Sequence, residues 1–199
     1  MTPDEIAATY NAIAEHWDSP AFNRDNGIAQ HERALRFVAK AGSALDVGCG
    51  SSGRIVELLL TRKFAVEGLD ISPEMLARAR RRHPQVTFHL ADICTFSLPK
   101  RYDFISAWDS IWHVPLAQQL DVLRKLLAGL SPGGVIIFTA GGTQAPEEVT
   151  NPCLGQPLYH ASAGIPAILR TLDECGCACR HLEYDQYPER HVTLIAQRL

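Results

Sequence analysis

The segment LDVGCGSSG, Leu45 to Gly53, restricts the fold more than any other part of the chain. An apolar run, Ser43 to Val47, ends in a turn containing Gly48, Gly50 and Gly53, then continues into Ile55 to Leu60, which reads as a helix. Glycine lacks the Cβ that would hold a ligand away from the backbone, and amides at the following helix start can receive a negatively charged group. The next apolar run, Phe64 to Leu69, reads as a strand and delivers an acid, Asp70, at its end. Strand, glycine turn, helix and strand form a βαβ unit. A carboxylate at that position can accept hydrogen bonds from both hydroxyls of a ribose, so the spacing points to an adenosine-containing ligand.

The alternation continues on both sides. Ile6, Tyr10, Ile13 and Trp17 share one helical face, and a second helix is expected around Ala34 to Ala41. After Asp70, Ser72-Pro73-Glu74 is a helix start, because serine caps free amides and proline fits the first helical position; this helix should run to about Arg82. Val86 to Leu90 and Asp103 to Trp108 read as strands, Leu116, Leu120, Leu123 and Leu127 as one face of a helix, and Val135 to Thr139 as a strand after the Pro132-Gly133-Gly134 turn. Ile165 to Glu174 reads as a helix. Cys177 to Tyr184 and His191 to Arg198 read as two strands whose short linker, containing Pro188, suits an antiparallel hairpin rather than a crossover.

This order predicts an α/β fold of Rossmann-like, three-layer type, with a mostly parallel sheet that ends antiparallel. A length of 199 residues suits one domain, with residues 1–42 as an N-terminal helical cap. Residues 140–164 are assigned no element. They follow the last parallel strand, where open α/β sheets place their ligand crevice, and are expected to cover the substrate as an insertion.

Composition narrows the partners. With 46% hydrophobic and 21% charged residues the chain can close a core, while a net charge of -3 supplies no general attraction to phosphate backbones or anionic lipid. Nucleic acid and membrane are therefore not expected partners, a small molecule is, and nothing sets an oligomeric state. Arg78, Arg80, Arg81 and Arg82 fall at the end of a helix, where cations suit the dipole and solvent. The start, MTPDEIAATYNAIAEHWD, lacks a secretory pattern and no stretch reaches transmembrane length, so a cytoplasmic location is expected. In ECGCACR, a strand would place Cys175, Cys177 and Cys179 on one face; buried thiols are the expected reading, and no metal site is assigned.

Asp46 separates two readings of the glycine turn. A dinucleotide site admits a pyrophosphate, which an acid inside the turn repels; a ligand carrying an ammonium or sulfonium is favoured instead. In order, LDVGCGSSG, GLDIS, LADIC, YDFISAWDS and LSPGGVIIF resemble the motifs of class I S-adenosylmethionine-dependent methyltransferases, of the kind that act on small molecules. The resemblance implies a seven-stranded sheet and S-adenosylmethionine as cofactor. It implies that Gly48 and Gly50 approach the methionine part, that Asp46 holds the loop or the ammonium through water, and that Asp70 is the ribose acid. Ile71 would pack on adenine, and Asp92 with Ile93 would meet its amino group and face. Trp108 would end the fourth strand near the reactive centre. YNAIAEHWD is similar to a stretch in which Tyr10 and Trp17 help close the pocket.

Methyl transfer is an in-line displacement in which alignment and desolvation can supply much of the acceleration, so a general base is optional. His113, in DSIWHVP, is the candidate base, with Asp109, His16, Tyr159 and His160 as weaker candidates for acceptor contact. Two further functions stay open: a non-catalytic binder of S-adenosylmethionine, and a nicotinamide-dependent oxidoreductase, which Asp46 disfavours.

Overall fold

The computed structural model describes all 199 residues. In chain order the elements are α1 (Pro3–Ile13), α2 (Ile28–Leu35), β1 (Ser43–Val47), α3 (Arg54–Thr61), β2 (Ala65–Asp70), α4 (Pro73–Arg82), β3 (Thr87–Leu90) and β4 (Tyr102–Ala107). They continue with α5 (Gln119–Ala128), β5 (Leu130–Gly141), β6 (Glu147–Cys153), β7 (Gln156–Ser162), α6 (Ile165–Glu174), β8 (Cys177–Glu183) and β9 (His191–Arg198). Seven strands form one sheet in the order β3-β2-β1-β4-β5-β9-β8, and only β9 runs against the rest.

Alternation along the strands divides the core into two layers. Leu45, Ile105, Ile136 and Phe138 pack against Leu123 and Leu126 of α5 and Ile168 and Leu172 of α6. Their neighbours Ala44, Phe104, Val135 and Ile137 face the other way, onto Ala34 of α2, Val56 and Leu59 of α3, and Leu76 of α4. A three-layer sandwich follows from that period of two. The helix starts are capped as their sequences dictate: the Ser72 hydroxyl accepts the Met75 amide at 3.1 Å, and Thr2 and Glu5 form a reciprocal capping box.

The structure departs from the sequence expectations in several places. The second helix occupies Ile28–Leu35, not the segment around Ala34 to Ala41. It starts at Gly27, at φ 82°, where a Cβ would come within 2.7 Å of the Trp108 ring, so ring contact rather than helix propensity sets its position. Trp17 lies beyond α1 in a short 3₁₀ turn, Ala14–Asp18, and Leu116 lies in another ahead of α5. Cys175 caps the end of α6, so it does not share a strand face with Cys177 and Cys179. Within residues 140–164 stands a hairpin, β6–β7, turned by Leu154 and Gly155 at φ 50° and 79°. Prolines at 152 and 157 and a β6 that is exposed from Glu147 to Pro152, without an alternating apolar pattern, hide it from a pattern search. Leu158, Tyr159 and Ala161 of β7 cluster with Ile6 of α1, and the Thr9 hydroxyl donates to the Pro157 carbonyl at 3.0 Å. No helix is long and apolar enough to cross a membrane.

Candidate functional site

A cavity of about 300 Å³ opens at the carboxyl ends of β1, β2 and β4, roofed by α1 and β7. Its floor is the glycine turn. The amides of Gly48 and Cys49 donate to the Leu69 carbonyl at 2.7 and 3.0 Å, tying the turn to β2. Gly48, at φ 69°, sits so close to Ser110 that a Cβ would approach its Cβ to 2.3 Å. Gly50, at φ 57°, faces open cavity with no atom within 4 Å of a built Cβ. One glycine is demanded by protein packing and the other leaves room for a ligand.

Asp70 fastens the same turn from the other side. Its Oδ2 accepts the Gly50 amide and its Oδ1 the Ser72 amide, each at 2.8 Å. Burial raises its pKa, opposed by those amide bonds. Asp46 lies beneath the turn and does not line the cavity; burial lifts its pKa to about 7 against hydrogen bonding from Ser106 and the charge of Arg54. Ile71, Asp92 and Ile93 line the far end beside Met75. There the Asp92 carboxylate accepts the Cys94 amide at 2.8 Å, and Ile93 belongs also to the core beneath α5. Both the binding and the structural readings of these two residues are thus compatible with their positions.

Tyr10, Trp17 and Trp108 all line the cavity. Trp17 stacks edge-on to Phe22, with ring centroids 4.9 Å apart, and its indole N–H is buried without a protein partner. The Trp108 ring lies between His31 and His191, at 5.3 and 5.7 Å. His113 also lines the cavity, although its nitrogens are already committed. Nδ1 meets the Tyr159 carbonyl at 2.7 Å and must carry the proton; Nε2 therefore accepts from the Tyr10 hydroxyl at 2.7 Å and from the Trp112 indole at 2.9 Å. Burial holds the His113 pKa at about 3. These contacts make the ring a joint between α1, the turn after β4 and β7. A base role would require it to give up both donors to Nε2.

Of the weaker candidates, His160 and Asp109 line the cavity, whereas His16 and Tyr159 do not. His16 packs on Trp17 at 5.5 Å, and the Tyr159 hydroxyl donates to Glu148 at 2.6 Å. Asp109 is held in the left-handed region at φ 50°. Its Oδ1 meets His191 Nε2 at 3.0 Å, while His191 Nδ1 meets the buried Asp185 carboxylate. Burial pulls the His191 pKa down, but the two carboxylates outweigh it and the net shift is upward. Sequence reasoning missed Trp112, Asp185 and His191. The last two lie 76 and 82 residues from Asp109, and no local motif announces their meeting.

Residues 44–134 match the family model described as a methyltransferase domain. A solved S-adenosylmethionine-dependent methyltransferase from Clostridium acetobutylicum ATCC 824 superposes with a TM-score of 0.71 over 95% of this chain and 98% of that one, at 15% identity. The fold is that of a class I S-adenosylmethionine-dependent methyltransferase. The matched methyltransferase domain carries β1 to β4 and α5, with Asp46, Gly48, Gly50, Asp70 and Asp92 inside it. Among curated relatives, the Streptomyces fradiae dTDP-3-amino-3,6-dideoxy-alpha-D-glucopyranose N,N-dimethyltransferase is 38% identical over 134 residues, 63% of this chain and 51% of that enzyme. A trans-aconitate 2-methyltransferase from Methylobacterium nodulans is 32% identical over 143 residues, 67% of this chain and 52% of that enzyme. The chain thus spans about half the length of these relatives.

Proposed function

We propose that this chain binds S-adenosylmethionine and methylates a small-molecule acceptor. The observation that carries this reading is the pairing of Asp70 with Gly50 at the cavity floor, where a buried carboxylate and an open glycine lie side by side. The cavity fits the cofactor in other respects: the Ser51 hydroxyl and the Trp17 indole are buried without protein partners at its edge. When bound, S-adenosylmethionine supplies a methyl group activated by positive sulfur.

The chain's own residues bind, orient and exclude water. Asp70 retains lone pairs for a ribose after holding the turn, Ile71 and Ile93 offer apolar faces for an adenine, and Asp92 an acceptor for its amino group. Gly50 leaves the backbone accessible to the methionine part, Gly48 lets the turn pass close to Ser110, and Asp46 is held by Ser106 at the end of β1, just ahead of the turn. Tyr10 and Trp17 close the opening, and Trp108 backs the acceptor side. His113 orders Tyr10 and Trp112 about that side, leaving alignment and desolvation as the source of acceleration. Residues 1–42 serve as the cap and residues 140–164 as the acceptor-side insertion within a single domain, and a cytoplasmic location belongs to the same proposal.

Calorimetry with S-adenosylhomocysteine and NAD tests the cofactor assignment; tighter binding of NAD overturns it. A search for metabolites that gain one methyl group in the presence of enzyme and cofactor tests the activity. A chain that binds the sulfur ligand yet methylates nothing in such a search would be a binder rather than an enzyme.

A further inference from the structure

The acceptor side of the cavity has an unusual charge distribution. Three carboxylates line the cavity, those of Asp70, Asp92 and Asp109, against one guanidinium, that of Arg54. Asp70 and Asp92 lie on the side assigned to the cofactor. Arg54 is spent on the glycine-loop side: its Nε donates to the Asn26 carbonyl at 2.8 Å, its Nη1 to the Ser52 hydroxyl at 2.8 Å, and Phe22 covers its face at 4.9 Å. The two imidazoles at the acceptor end, His113 and His160, are both pushed toward neutrality by burial. Asp109 is thus the only charged side chain that lines the cavity at that end, with His191 paired to it from behind; Trp108 and Trp112, whose rings pack on His191, line the cavity on either side of it in sequence.

The protein holds Asp109 there at a conformational cost. A non-glycine residue at φ 50° is uncommon, and such strain persists only where neighbours impose it. Three contacts do so: the Asp109 amide donates to the Thr139 hydroxyl at 2.8 Å, Asn26 Nδ2 reaches Oδ2 at 3.3 Å, and His191 Nε2 reaches Oδ1 at 3.0 Å. Asp185 and, behind it, Gln30 Nε2 at 3.0 Å fix His191 in turn. Even so, 29% of the Asp109 side chain stays exposed, toward the cavity.

We infer that the acceptor is an amine and that the Asp109 carboxylate receives its nitrogen, with His191 and Asp185 as positioning residues. The inference rests on the methyltransferase reading and narrows it. Methylation of a neutral amine forms an N–C bond, breaks the S–C bond, moves the positive charge from sulfur to nitrogen and leaves one proton to be shed to water. A carboxylate beside that nitrogen, walled by aromatic faces, stabilises the charge it acquires. A carboxylate acceptor would instead meet the Asp109 charge directly, since the Arg54 guanidinium is held by Asn26 and Ser52 and the His191 ring by Asp109 and Asp185.

Two probes of one shape and opposite charge decide the matter: benzylamine and benzoate, titrated into protein saturated with S-adenosylhomocysteine and followed by the tryptophan indole NMR signals. Benzylamine should bind about tenfold more tightly than benzoate, and Asp109→Asn, which suits the same left-handed backbone, should erase the preference. Benzoate binding as well as benzylamine, a preference that survives Asp109→Asn, or indoles that respond to neither probe would overturn the inference. A second arm offers labelled S-adenosylmethionine to one pool of amines and one of carboxylic acids. Label should enter the amine pool and fall about 100-fold in kcat/KM with Asp109→Asn; label in the acids alone, or in neither pool, counts against the inference. Failure of the wild-type protein to bind S-adenosylhomocysteine would instead defeat the methyltransferase reading itself, so the two failures are distinguishable.

Discussion

Replacing Asp70 separates what the fold owes to this carboxylate from what a ligand would owe to it. Asp70 is 8% exposed, and its oxygens accept the Gly50 and Ser72 amides at 2.8 Å. In Asp70→Ala the Gly50 amide faces the cavity and can be hydrated, but the Ser72 amide belongs to a fully buried residue and is stranded. A stranded buried donor costs about 1–3 kcal/mol. Because burial raises the Asp70 pKa, the charged form already gives back part of its hydrogen-bond energy, so a net loss of about 2 kcal/mol is expected. For a chain of this size that lowers Tm by roughly 4–8 °C. Asp70→Asn keeps one carbonyl oxygen for Ser72, so it should retain most of that stability. It nevertheless loses the charge-assisted bonds to a ribose, and both variants should bind S-adenosylhomocysteine about 10- to 100-fold more weakly. Calorimetric unfolding and titration calorimetry on the three proteins read the two effects independently. An unchanged Tm for Asp70→Ala would refute the bracing role, and unchanged affinity for Asp70→Asn would refute the ribose assignment.

Gly50→Ala places its Cβ in open cavity, so it should cost only the left-handed strain, about 1 kcal/mol of stability, yet weaken S-adenosylhomocysteine binding tenfold or more. Gly48→Ala should be the more destabilising of the two, because its Cβ collides with Ser110; equal melting temperatures would contradict that ranking. Asp46 has a folded pKa of about 7 against its ordinary 3.8, so between those values the folded chain holds a proton that the unfolded chain has lost. Its contribution to stability therefore declines as pH rises through that window, and Asp46→Asn should gain on wild type between pH 4 and pH 7 in denaturant titrations. A constant difference across the window would argue against a protonated Asp46. His113, held near pKa 3, should contribute no limb to the turnover profile between about pH 5 and 9. A limb there that vanishes in His113→Asn would restore it as a base.

The parallel half of the fold was legible because its signals are local. Val47 to Gly53 couples a buried strand to a glycine turn, Ser72 caps the helix it precedes, and Ile165 to Glu174 keeps one apolar face throughout. The β6–β7 hairpin was not legible, since β6 is exposed along nearly its whole length and carries no alternating pattern; tertiary contact of Leu158 with Ile6 holds the hairpin instead. The second helix was misplaced for a related reason. Phe37 and Val38 are apolar because they pack on the core as a turn, not because they continue a helix, and a helical reading of their spacing draws the boundary downstream.

The same division runs through the site. Apart from Tyr10 and Trp17, the residues assigned to the cofactor by resemblance sit on or just after β1, β2, β3 and β4, and all of these fall inside residues 44–134. The acceptor side is assembled from distant pieces: Tyr10 meets His113 across 103 residues, His113 meets the Tyr159 carbonyl across 46, and His191 meets Asp109 across 82. Asp109 and His113 lie within the matched span, but apart from Trp112 the partners that fix them, Tyr10, Asn26, Thr139, Tyr159, Asp185 and His191, all lie outside it. Changes in those outlying elements can therefore reshape the acceptor end without touching Gly50 or Asp70. A shared cofactor floor is thus no guide to a shared acceptor, and the relatives' different substrates carry less weight for this chain than the single carboxylate its own outlying elements hold in place.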